Sequence, residues 1–345
     1  MNKIAVVILN WNGQHFLEKF LPGVVAFSTS DESKVYVVDN CSTDNSVPYL
    51  NEKFGEQIDV IQLDKNYGYA LGYRKALEII KAEYYVLLNS DVEVTESWLT
   101  PVIKQMDEDK TIGASQPKIR SFERKNHFEY AGAAGGYIDK FGFPFCRGRI
   151  LYRIEEDKNQ FNTRADIFWA SGAAMFVRAK AYFDAGGLDG DFFAHMEEID
   201  LCWRMKHLGY RITACPESEI YHVGGGTLPN NSPRKLYLNY RNSLYLLYKN
   251  LSRQKFHRTM IVRMAIDWIT AIIYLARFDF SFFNAVTRAH RDFLKERPSL
   301  KIKRKQLFEV MEVPEVSSIY KRSIVFSFFL KRKQFFKDLN QNQFS

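Results

Sequence analysis

Short apolar runs alternate with stretches of helical periodicity through the first part of the chain. Ile4–Leu9, Lys34–Val38, Asp59–Leu63 and Tyr84–Leu88 read as strands. Between them, helices are expected near Gln14–Ala26, Ser46–Phe54 and Gly72–Lys81. The fourth run, Tyr85-Val86-Leu87-Leu88, is continuously apolar, as a strand buried on both faces requires. Strands alternating with helices at this spacing predict an α/β fold built on a mostly parallel, Rossmann-like sheet with right-handed crossovers. Further on, Ala173–Val177 reads as a buried strand, a helix runs from Glu197 to Leu208, and Arg211–Ala214 is another strand. Residues 113–165 are rich in glycine and aromatic side chains and show no period. After Pro229 the pattern becomes helical, with Leu236–Leu251 rich in tyrosine and leucine. Met260–Leu275 is strongly apolar but interrupted by Arg263 and Asp267, which argues against a membrane-crossing helix.

This division suggests an α/β domain over 1–228 and a helical region over 229–345. Charge sharpens it. Residues 229–345 carry 23 Lys and Arg against 8 Asp and Glu, a local net of +15, while the first 228 residues stand at −7. The tail alternates basic clusters (Lys301-Ile302-Lys303-Arg304-Lys305; Lys331-Arg332-Lys333) with the apolar run Val325–Leu330. That composition suits helices lying on an anionic membrane surface, and equally an ordinary subdomain with a solvated basic face. The four cysteines show no CxxC spacing, and Ile4–Leu9 is too short for a secretory h-region. The expectation is a cytoplasmic protein with reduced thiols, peripheral on the inner face of the membrane, with no nucleic-acid partner.

The chemistry concentrates where strands end. Ligands of open α/β sheets bind beyond the carboxyl ends of the strands. Asp91 and Glu93 follow the fourth strand and can offer oxygen to a divalent cation, Mn²⁺ or Mg²⁺, or can be solvated turn residues. Asp39 ends the second strand, where a carboxylate can bind a ribose hydroxyl or a base imino group. The stretch Asn66-Tyr67-Gly68 and the pair Ser171-Gly172 let backbone approach a ligand closely. Glu197, Glu198 and Asp200 open a helix, and carboxylates there also complement its dipole. Asp200 and Arg204, at i and i+4, form an expected pair. His222 precedes Gly224-Gly225-Gly226, a run able to let a segment close over a cofactor.

In order and spacing, VILNWNG, VVDNCSTDNS, NYGYALG, LLNSDVEV, SGAAMFVRA, EEIDLCWR and IYH resemble glycosyltransferase family 2, the inverting GT-A enzymes, and most closely its rhamnosyltransferase-like subgroup. The resemblance covers about residues 1–228. It implies a UDP- or dTDP-sugar donor held about Asn10, Asp39, Asn66, Gly68, Asn89 and Gly172. It further implies a divalent metal on Asp91, Glu93 and His222, and Glu198 as catalytic base supported by Glu197, Asp200 and Arg204. The acceptor it implies is a glycan or a lipid-linked sugar of cell-surface polysaccharide synthesis. Asn89 departs from the family's usual Asp, and Glu198 stands where Asp is commoner. Two other readings are a sugar-phosphate nucleotidylyltransferase and a non-catalytic nucleotide-sugar-binding module. The first would need a basic glycine-rich loop after the first strand, and Asn10-Trp11-Asn12-Gly13 carries no basic residue.

Overall fold

The computed structural model describes residues 2–224, 232–312 and 315–345. The early alternation is as expected: β1 (Asn2–Asn10), α1 (Gln14–Ser28), β2 (Ser33–Asp39), α2 (Ser46–Lys53), β3 (Asp59–Gln62), α3 (Gly68–Ile79) and β4 (Ala82–Asn89). There follow β5 (Val92–Val94), α4 (Leu99–Glu108) and β6 (Ile112–Ser121). Strands β7 (Gly136–Asp139), β8 (Pro144–Cys146), β9 (Arg149–Ile150) and β10 (Arg153–Ile154) are short. The chain then forms β11 (Ala165–Asp166), β12 (Ala174–Arg178), α5 (Ala179–Asp184), α6 (Glu197–His207) and β13 (Arg211–His222). Its last elements are α7 (Pro233–Asn250), α8 (Arg253–Ala276), α9 (Phe280–Val310), β14 (Ile319–Tyr320) and α10 (Ile324–Phe329).

The main sheet runs β11-β13-β6-β12-β4-β1-β2-β3, with β5 paired to β13. It is mixed rather than mostly parallel. β1, β2, β3 and β4 are parallel to one another, as are β6 and β13, whereas β12 is antiparallel to both β4 and β6. Residues 113–165 also depart from the irregular reading: β6 is a buried central strand, and β7–β10 join β14 in a second, smaller sheet.

The apolar run of β4 has the reason expected. Tyr85 and Leu87 enter one hydrophobic cluster and Tyr84, Val86 and Leu88 the cluster on the other face. The first cluster extends from Ala5 through Leu244 and Phe293 to Leu339, so the C-terminal helices and tail share a core with the catalytic sheet. The expected boundary at 228/229, like Gly225 and Gly226, lies outside the described residues.

Candidate active site

Register brings the site together. Asn10 is opposite Asp39, and Leu9 is opposite Asn89, so the ends of β1, β2 and β4 form one edge. Antiparallel β12 begins at that edge, with Ala174 opposite Leu88. β13 is bulged between Cys215 and Glu219, where Pro216 interrupts the ladder, and then continues to pair with β5, setting His222 opposite Val92. A cavity of about 380 Å³ opens at this edge.

On one wall, His222 Nε2 lies 3.1 Å from Asp91 Oδ1 and 3.3 Å from Asn89 Nδ2. The backbone N–H of Gly224 donates to Asp91 Oδ2 at 3.2 Å. The other ring nitrogen, Nδ1, is 3.5 Å from Glu129 Oε2. Burial alone would make the imidazole less basic, but the two flanking carboxylates outweigh it and push His222 up to about 10. Burial likewise works to raise Asp91, and the facing His222 charge more than reverses it, so Asp91 falls below the usual carboxylate range.

Glu93 does not join them. Its neighbours Val92 and Val94 are buried in the core, and its own carboxylate makes a 2.5 Å ion pair with Lys125 away from the cavity. The second acidic group beside His222 is instead Glu129, from the stretch without sequence period. It occupies the far side of the ring, so among the described residues no three His, Cys, Asp or Glu side chains converge on one ion.

The expected donor residues divide. Asn66, Gly68, Asn89 and Gly172 line the cavity, while Asn10 and Asp39 lie behind it. Asp39 accepts from Asn10 Nδ2 at 3.3 Å and from the Ser42 N–H at 2.9 Å, which fixes the turn after β2. Asn40 presents the neighbouring wall instead. It donates to Asn66 Oδ1 and to the Gly68 carbonyl, both at 3.1 Å. Gly68 and Gly172 are also needed for packing. Gly68 has φ of +71°, and a Cβ there would come within 2.5 Å of the Phe193 ring. The first N–H groups of α3, from Tyr69 and Ala70, are taken by the Phe193 carbonyl at 2.8 and 3.1 Å, so this helix start is not open to a phosphate. Gly172 leaves room for the Tyr69 hydroxyl, which donates to the Gly172 carbonyl at 2.7 Å.

Opposite stands the start of α6. Glu197 and Glu198 line the cavity, and each keeps one carboxylate oxygen without a hydrogen-bond partner. Desolvation lifts Glu198 to about 7, and desolvation together with the neighbouring Glu198 charge lifts Glu197 well above the carboxylate range. Asp200 is different. It is fully buried and ties Arg204 Nε at 2.8 Å, Lys249 Nζ at 2.9 Å and Asn250 Nδ2 at 2.9 Å. The predicted Asp200–Arg204 pair is therefore an anchor joining α6 to α7.

The loop before α6 is strained: Phe193, His195 and Met196 have φ of 63°, 70° and 71°. Its carbonyls are gathered by Asn242 of α7, whose Nδ2 donates to Phe192, Ala194 and His195 at 2.9, 2.8 and 2.7 Å. Neither Asn242 nor Glu129 carried a sequence signal, because their partners are far away in the chain.

The mixed sheet, with its acidic site at one edge, has the GT-A glycosyltransferase fold. The chain belongs to glycosyl transferase family 2, whose sequence pattern matches residues 5–183. It is 21% identical over 237 residues to the N-acetylglucosaminyl-diphospho-decaprenol L-rhamnosyltransferase of Mycobacterium tuberculosis, covering 64% of this chain and 75% of that protein. It is 26% identical over 163 residues to the Escherichia coli rhamnosyltransferase WbbL, covering 45% of this chain and 61% of that protein. In fold it is similar to the mannosyltransferase PcManGT from Pyrobaculum calidifontis, solved in complex with GDP-Man and Mn²⁺. That match has a TM-score of 0.53 and 14% identity, and covers 89% of this chain and 85% of the other.

Proposed function

We propose that this enzyme transfers a sugar, with inversion, from a nucleotide-sugar donor to the hydroxyl of a glycan or lipid-linked acceptor. The observation that carries the reading is Glu198, a carboxylate raised to about 7 with a free oxygen on the cavity wall. A general base works best with a pKa near the operating pH. Glu198 takes the proton of the acceptor hydroxyl as that oxygen bonds to the anomeric carbon, and the bond to the nucleoside diphosphate breaks. A hydrolase would need a second carboxylate working across the glycosidic bond. Asp200, locked by Arg204 and Lys249, is unsuited to that role, and Glu197 is next to Glu198 on the same helix turn rather than facing it.

The residues present fit a divalent cation with two protein ligands, Asp91 and His222. Their 3.1 Å separation matches two donors each about 2.1 Å from one ion. When bound, the ion stabilises the departing diphosphate as a Lewis acid. His222 would have to release its proton to ligate, and Glu129, facing Nδ1, holds the other side of the ring. Mixed carboxylate and imidazole donors suit Mn²⁺ at least as well as Mg²⁺. The M. tuberculosis relative's name specifies a diphospho-decaprenol acceptor and an L-rhamnosyl group, and supports the lipid-linked, deoxyhexosyl form of the reaction.

The test is a panel of UDP-, dTDP- and GDP-sugars with Mn²⁺ or Mg²⁺, scored for nucleoside diphosphate release with and without a polyprenyl-diphosphate sugar. Release that depends on acceptor is expected. Pyrophosphate made from a nucleoside triphosphate and a sugar phosphate would mark a nucleotidylyltransferase, and binding without turnover a non-catalytic module.

A further inference from the structure

The two charges that interrupt the apolar sequence of α8 point inward. Arg263 Nε pairs with Asp267 Oδ1 at 2.9 Å, and His290 Nε2 lies 3.3 Å from Asp267 Oδ2. Arg263 also donates to the Gly142 carbonyl at 3.2 Å and lies 4.1 Å over the Phe143 ring. This side of α8 is therefore bolted to the catalytic domain.

The other side has no charge from Ile261 to Ala276. Ile261, Ala265, Trp268, Ile269, Ile272 and Ala276 recur at i, i+4, i+7, i+8, i+11 and i+15, a single helical stripe, and every one is exposed. Ile261 is 69%, Ile269 58% and Ile272 59% exposed. At the end of the helix, Phe278 is 78% and Phe280 55% exposed. The stripe is roughly 24 Å long from Ile261 to the helix end, at 1.5 Å per residue. Contiguous apolar surface on this scale marks an interaction site rather than ordinary exposure.

The expected membrane-facing segment, the tail run Val325–Leu330, is a poorer candidate. Ile324, Ser327 and Phe328 are buried, and only Phe326, Phe329 and Leu330 are exposed. By length and composition α8 could cross a membrane, but its ion-paired face is occupied by protein. It is suited to lie flat, with one face in the interface.

We propose that the outward face of α8, with the Phe278–Phe280 corner, docks onto an anionic lipid bilayer. Charge selects this occupant over a second copy of the chain. The stripe belongs to a region of net +15, which repels itself and attracts anionic headgroups, while the −7 remainder turns away from them. The exposed charges nearest its ends in sequence are Arg258 at one, and Arg277 with Asp279 at the other. Trp268 on the stripe favours the headgroup boundary, and the two phenylalanines at its end suit the apolar face of an interfacial helix. This inference does not depend on the transfer reaction, and its test reads the two separately.

The full-length protein is floated with phosphatidylcholine vesicles containing phosphatidylglycerol, and with pure phosphatidylcholine vesicles, beside the double variant Ile269→Glu/Ile272→Glu. Both side chains point outward, so the variant keeps the fold, checked by an unchanged melting temperature and circular-dichroism spectrum. The wild type is expected to float with the anionic vesicles only. The variant should lose binding by more than about tenfold, as when two isoleucines no longer leave water. Undiminished floating of the variant, equal binding to both vesicles, or no binding by the wild type overturns the proposal. So does a wild-type dimer in solution that the variant converts to monomer, which would make the stripe a protein interface. Failure of donor turnover, with vesicle binding intact, would instead refute the enzymatic reading alone.

Discussion

The side-chain amide of Asn242 donates to the carbonyl of His195 at 2.7 Å, binding α7 to the loop that leads into Glu197 and Glu198. The same amide reaches Phe192 and Ala194, so one residue of the helical region holds three carbonyls of a strained turn. Backbone held in the left-handed region costs about 1–3 kcal/mol per residue and persists only where its surroundings impose it. The C-terminal helices are on this account part of the active site.

Asn242→Ala should therefore reduce kcat by about 10–100-fold, the scale of a small misplacement of a catalytic group. Nucleotide affinity should change less, because the expected donor residues Asn66, Asn89 and Gly172 lie outside the loop that Asn242 holds. A stability loss of about 1–3 kcal/mol from unpaired carbonyls is expected as well. Steady-state kinetics with nucleotide titration separates these effects. An equal loss in nucleotide binding would argue for general unfolding instead.

Asp91 and Glu93, two residues apart, should behave oppositely. Asp91→Asn removes the carboxylate facing His222 and should abolish Mn²⁺-dependent donor binding while the fold survives. Glu93→Gln breaks an exposed pair with Lys125, worth about 0–1 kcal/mol, and should leave turnover within about twofold. Calorimetric titration of donor with and without Mn²⁺ distinguishes them.

Removing 316–345 should unfold the protein rather than merely loosen it. That segment buries Tyr320, Ile324, Phe328, Phe336 and Leu339 and supplies β14 to the smaller sheet. Asp139 accepts the Ile324 N–H at 2.8 Å from within that sheet. At about 1.5–3 kcal/mol per buried side chain, the loss is comparable with the whole stability of a typical domain. A soluble truncated protein with cooperative unfolding would contradict this.

Much of this was legible because period and register follow from local chemistry. The continuous apolar run of β4 requires burial on both faces, and strand ends then place Asp91 at a crevice. The motif order led to His222 and Glu198 as well. What escaped the sequence depended on long-range pairing. Glu129 reaches His222 from an aperiodic loop, and Asn242 finds its carbonyls 47 to 50 residues away. Glu93 looked equivalent to Asp91 until β5 paired with β13 and Lys125 took its carboxylate. Arg263 and Asp267 interrupt the apolar sequence of α8 but not its outer surface, a distinction that composition cannot make.

Glu198 is proposed as the base. Its raised pKa means that it must lose a proton to act, so kcat/KM of the wild type should fall about tenfold per pH unit below about 7 and level off above. Because the folded-state value lies above the ordinary 4.5, its effect on stability is favourable at low pH and is lost as pH rises through about 7. Glu198→Gln should therefore melt at least as high as the wild type at pH 8. The decisive measurement is the pH profile of sugar transfer by Glu198→Gln beside the wild type, with donor affinity measured on the same samples. The account predicts unchanged donor affinity, transfer reduced by roughly 10²–10⁴-fold, and loss of the inflection near pH 7. Transfer near the wild-type rate with the inflection intact would contradict it, and would move the role of base to another group.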